Sequence, residues 1–136
     1  MLNDLLRLAW AMGIILAGYA LFRLVSFVIV RRAQAGAHNP ELIHPGKPTI
    51  LYFTTPDCAP CRTVQRPALR AVKSRLGDNL QIVEVNAVEQ PDVAREWGVL
   101  SVPTTFIIDA SGKPRHVNHG VTSAEGLIEQ LNKYVN

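Results

Sequence analysis

Cys58 and Cys61 are the only two cysteines in the 136-residue chain, and only Ala59 and Pro60 separate them. The apolar run Ile50, Leu51, Tyr52 and Phe53 precedes the pair, and a segment with helical periodicity follows it. A thiol pair at a turn from strand to helix suits thiol–disulfide exchange. The start of a helix carries partial positive charge and free N–H groups, which favour a thiolate over a thiol. The first cysteine of such a pair can attack a disulfide, and the second, one turn on, can resolve the mixed disulfide. The rival chemistry is zinc, with Cys58 and Cys61 joined by His116 and His119. The gap between the two pairs far exceeds the ~12–15 residues of a short finger, and a helix-starting pair suits exchange better.

The elements that must position the pair follow from patterning. Residues 49–54 are apolar on both faces, as a buried central strand would be. Residues 58–76 read as a helix with Val64, Leu69, Val72 and Leu76 on its apolar face, Gly77 at its end, and a kink expected at Pro67. Residues 80–86 form a second strand, 91–97 a short helix stopped by Gly98, and 104–109 a third strand. A turn at 110–113 leads to an edge-type strand at 114–119. Residues 123–134 close the chain as an amphipathic helix capped by Thr122 or Ser123, with Leu127, Ile128, Leu131 and Val135 inward. The net charge of +3 is mild and scattered, so nucleic-acid binding gains no support. Two cysteines cannot build the scaffold of a small disulfide-rich domain.

Residues 8–30 form an apolar stretch that as a helix would rise about 34 Å, enough to cross a hydrocarbon core of roughly 30 Å. Its length, and Arg31 and Arg32 before the small-x-small sequence at 33–35, argue for an uncleaved anchor rather than a signal peptide. Arg23 is expected to snorkel toward the interface near Arg31. The expected layout is an anchor at 1–32, a linker at 33–46 in which Glu41, Leu42 and Ile43 add one helical turn, and a globular domain at 47–136. Arg31 and Arg32 lean weakly toward a cytoplasmic domain, and the side is left open.

The pair, the element order and the sequence Val102, Pro103, Thr104 about forty residues on together resemble the thioredoxin family. Trp97 and Gly98 precede that loop where the family has an aromatic–glycine pair, and Gly120 follows the closing hairpin. The resemblance implies an α/β thioredoxin-like fold, a central mixed sheet of about four strands with flanking helices, behind a single transmembrane helix. It implies a protein-disulfide oxidoreductase in which Cys58 is the nucleophile and Cys61 the buried resolving thiol. Pro60 would sit in the first helical turn, and Pro103 would follow a cis bond from Val102. Val102, Gly120 and Val121 would complete an apolar surface on which an extended substrate docks. The implied partners are protein disulfides or dithiols, membrane lipid and a membrane electron donor; no cofactor, metal or nucleic acid is called for. A redox-silent interaction module on an anchor is the alternative that keeps the fold.

Three departures bear on tuning. Asp57 replaces the family's tryptophan and should disfavour the Cys58 thiolate, with Arg62 placed to offset it. Tyr52 stands where the family has a buried acid, and Glu84 on the neighbouring strand is the candidate to supply one. Pro60 resembles reducing rather than oxidising relatives, so the expected activity is that of a dithiol reductase or electron relay. His119, next to Gly120, is a candidate neighbour of Cys58.

Overall fold

The computed structural model describes residues 1–36 and 42–134. Glu41 and Val135, which carried two of the expectations above, lie outside the described residues; Leu42 and Ile43 are not helical. The sheet is built on β1 (Thr49–Thr54), every residue of which is buried. β1 pairs in parallel with β2 (Gln81–Asn86) and antiparallel with β3 (Thr104–Ile108), and β3 pairs antiparallel with β4 (Pro114–His119). The strand order is β2-β1-β3-β4, so β2 and β4 are the edges of a four-stranded sheet. The period of two along a strand splits β1 between two cores. Leu51 and Phe53 join Val85, Trp97, Phe106, Ile108 and Val117 on one face. Ile50 and Tyr52 join Ile107, Leu69, Val72, Leu127, Leu131 and both cysteines on the other.

Helices α2 (Arg66–Leu76) and α4 (Ala124–Tyr134) supply the cover of the second face. The backbone is helical from Ala59, but Cys61–Gln65 is a π turn rather than the α-helix expected there. Pro67 explains the need for a break, because it offers no N–H to the turn before it. The wider turn closes on an Arg66 N–H bonded to the Cys61 carbonyl. It also turns the face. Val64, expected inward, is 48% exposed, and Gln65 is fully buried instead.

The first face is covered by α3 (Pro91–Glu96) and by the end of α1 (Leu2–Gly36). Ile29 is buried and Ser26 and Val30 are half-buried, at the spacing of one helix face. Ile29 is 5% exposed and lies against Gly98, where a Cβ would meet its side chain at 3.5 Å. Gln34 Nε2 donates to the Pro114 carbonyl at 2.9 Å, a contact to the β4 edge. Residues 33–36, expected to begin a linker, are the last turn of α1. Before Phe22 the helix stands clear of the domain, with Trp10, Ile14, Leu16 and Tyr19 exposed. The stretch Asn3–Arg32 is long and apolar enough to cross a membrane.

Candidate active site

The turn that carries the cysteines is fixed by its own backbone. The Cys58 N–H donates to the Thr55 carbonyl at 3.2 Å, and Arg62 N–H donates to the Cys58 carbonyl at 3.3 Å. Pro60 has φ −60° and ψ −32°, so it enters the helix without strain, and its missing N–H would have no partner in a first turn. Cys58 and Cys61 are joined as a disulfide with Cα atoms 5.3 Å apart. Cys61 is wholly buried, whereas Cys58 keeps 8% of its surface. The Cys61 N–H points at Cys58 Sγ from 3.2 Å. A positive dipole end held that close favours negative charge on the Cys58 sulfur once the pair is reduced.

The loop before β3 meets the pair from the side. The Val102–Pro103 bond is cis. Val102 packs against the core cluster that contains both sulfurs. The Pro103 carbonyl accepts the Gly120 N–H at 2.8 Å, which ties this loop to the one after β4. Gly120 has φ +88°, a region open to glycine and costly for other residues. Val121 is half exposed beside it, and Leu100 and Val64 are exposed apolar side chains as well.

The residues expected to tune the pair are spread more widely. Asp57 and Arg62 are both exposed; Arg62 donates to the Pro56 carbonyl at 3.4 Å and makes no ion pair with Asp57. Glu84 lies opposite Tyr52 in register, and Arg66 of α2 holds its carboxylate at 2.7 Å. Tyr52 is fully buried, its hydroxyl makes no hydrogen bond of normal geometry among the described residues, and burial pushes the phenol up against a weaker opposing pull from the nearby Thr54 hydroxyl. His119 packs its ring on Phe22 of α1, at 6.1 Å between centroids, and His116 stacks on Tyr134 at 4.9 Å. Among the described residues no three His, Cys, Asp or Glu side chains gather where a metal ion could be held.

Two positioning residues were not legible in the sequence. Gln65 accepts the Thr122 N–H at 2.8 Å and donates to the Thr122 carbonyl at 3.2 Å. It therefore clamps the loop that carries Gly120 and Val121 to the helix that carries Cys61. A glutamine in a helix gives no sign of this until the π turn has swung it inward. Asp109 organises the β3–β4 turn: Ser111 and Lys113 backbone N–H groups and the Ser111 hydroxyl reach Oδ1, and Arg115 Nε reaches Oδ2. Burial alone would raise this carboxyl, but those hydrogen bonds outweigh it and bring it to about 2.

A profile of the family described as Thioredoxin matches residues 29–133. The chain belongs to the thioredoxin family. Among its relatives, a chloroplastic M-type thioredoxin of Chlamydomonas reinhardtii is 30% identical over 113 residues, 79% of each chain. A thioredoxin of Porphyra purpurea is 31% identical over 106 residues, 78% of this chain and 97% of that one. The solved structure of thioredoxin-2, described as a component of malaria parasite protein secretion machinery, shares the fold with a TM-score of 0.60 at 21% identity. It covers 64% of this chain and 82% of that one. The match begins at Ile29, which packs in the core on the first face of the sheet.

Proposed function

We propose that this thioredoxin-family chain is a membrane-tethered dithiol reductase or electron relay for protein disulfides. The carrying observation is the unequal burial of a bonded cysteine pair, with the Cys61 N–H directed at Cys58 Sγ. In the reduced protein Cys58 is the thiolate that attacks a substrate disulfide. One substrate sulfur bonds to Cys58, and the other leaves as a thiolate that takes up a proton. Cys61, after losing its proton, attacks Cys58 Sγ and expels the second substrate thiolate. The substrate disulfide gains two electrons, and the protein is left as the Cys58–Cys61 disulfide. A dithiol donor at the membrane returns it to the reduced state by the reverse exchange. Val102, Pro103, Gly120 and Val121 offer the docking surface, with Pro60 at its rim, and Gln65 holds the Val121 side of it. Asp57 opposes the Cys58 thiolate, which favours the disulfide and makes the pair more reducing; Arg62 limits that effect and Glu84 acts only through Arg66. α1 is the tether.

Insulin reduction with a dithiol donor tests the chemistry. Cys58→Ser should abolish turnover, and Cys61→Ser should accumulate a mixed disulfide with substrate. A reduction potential near about −270 mV supports a reductase, and one near about −120 mV refutes it. An inactive parent protein would leave a redox-silent docking module. Labelling of Cys58 from either face of intact cells assigns the side of the domain.

A further inference from the structure

A second cleft lies away from the disulfide, between α1, the outer side of β4 and the end of α4. It encloses about 470 Å³, within the roughly 300–1,000 Å³ of small-molecule sites. Phe22, Phe27 and Tyr134 form apolar walls, and Arg23, His116 and His119 supply the nitrogen groups. No Asp or Glu lines it. Arg115 also lines it, but its Nε is bonded to Asp109, which compensates its charge. Arg23 has no carboxylate partner among the described residues; it donates only to the Tyr19 hydroxyl, at 3.3 Å. Lys133 Nζ lies 5.2 Å over the ring of Tyr134, one of the cleft walls. His119 keeps a buried Nε2 with no hydrogen-bond partner. An uncompensated guanidinium beside one unsatisfied ring nitrogen, that of His119, and aromatic walls calls for an anion with an apolar body.

Position says which anion. Phe22 is where α1 first meets the domain, and every turn before it is exposed and apolar apart from the helix start. If that free stretch lies in a bilayer, the cleft opens at the level of the head groups. We propose that it binds the phosphate head group of one anionic phospholipid, with Arg23 as the charge partner and the lipid's glycerol region against Phe22 and Phe27. The inference rests on the membrane tether proposed above.

The test uses the full chain. Carbonate extraction of membranes first reads the tether: release into the soluble fraction defeats the tether, independently of the lipid result. The chain in neutral detergent is then offered phosphatidylglycerol and phosphatidylcholine in equal amounts, and retained lipid is counted by native mass spectrometry. One phosphatidylglycerol should be retained in preference to phosphatidylcholine by at least about fivefold, the weight of one cation near an anionic surface. Arg23→Gln should remove the preference, and exposed Arg70→Gln should keep it. His116→Phe, which retains the ring stack, should weaken retention and serves if Arg23→Gln fails to fold. Equal retention of the two lipids, or an unchanged preference in both cleft variants, overturns the proposal. So does displacement by soluble glycerol phosphate at the same concentration, which would mark a site for free anions.

Discussion

At the residue scale, the disulfide sits above side chains that trade stability for position. Gln65 is a polar side chain placed wholly inside the core, and its two bonds to Thr122 are what make that placement tolerable. Gln65→Leu would leave the Thr122 N–H and carbonyl without partners, at a cost of about 1–3 kcal/mol in urea unfolding. Because the same loop carries Val121, the substrate KM should rise while the Cys58 thiol pKa stays put. Tyr52 is the opposite case: its buried hydroxyl already lacks a partner, so Tyr52→Phe should leave stability unchanged or raise it by about 1 kcal/mol. A clear loss in the oxidised protein would reveal a partner for that hydroxyl. In the oxidised state, then, the family's acid position is an uncharged group here, and the acid on the neighbouring strand is tied to Arg66.

At the element scale, the β3–β4 hairpin depends on one carboxylate. The Asp109 pKa of about 2 lies below its ordinary value of 3.8. A folded-state pKa depressed in this way adds stability above the ordinary value and loses it as pH falls through the folded one. The contribution is about 2 kcal/mol, present above pH ~4 and gone below pH ~2. Asp109→Asn should therefore lower stability at pH 7 and flatten the acid limb between those values, as followed by circular dichroism. The strands and α4 were legible in the sequence because pattern and turn residues agree there: a short run apolar on both faces marks β1, and Ser123 caps α4 through its Oγ bonded to the Gly126 N–H. The π turn was not legible. Local propensity says nothing about an i to i−5 bond, so Val64 was expected inside and Gln65 went unremarked. The cysteine pair and the cis-proline loop were legible because each depends on residue type at a fixed place, whereas the Gln65 clamp joins residues far apart in sequence.

At the scale of the whole molecule, α1 is both an apolar rod and the roof of one sheet face. Its apolar residues suit lipid and protein core equally, so composition alone cannot show where one use ends and the other begins; buried Ile29, with half-buried Ser26 and Val30 on the same face, does. Burial of a side chain such as Ile29 is worth about 2 kcal/mol. A chain starting at residue 47 should therefore melt roughly 10 °C or more below one starting at residue 22, at about 4–8 °C per kcal/mol. The shorter chain should also bind an apolar dye on the uncovered face around Trp97 and Phe106. Equal melting temperatures would show that α1 is not part of the folded unit.

The direct seating of α1 on the sheet has a mechanical consequence. A domain on a slack leash sweeps a volume set by the leash, and its encounter rate with neighbours follows from that volume. Here the helix that would enter the membrane is itself fastened to β4 through Gln34 and to the core through Ile29. The height of Cys58 above a bilayer would thus be set by a rigid strut, and inserting residues between 37 and 41 would not extend its reach. Under the proposed tether, such a protein would choose clients by altitude: a disulfide would have to be presented at one level above the surface to be met at all.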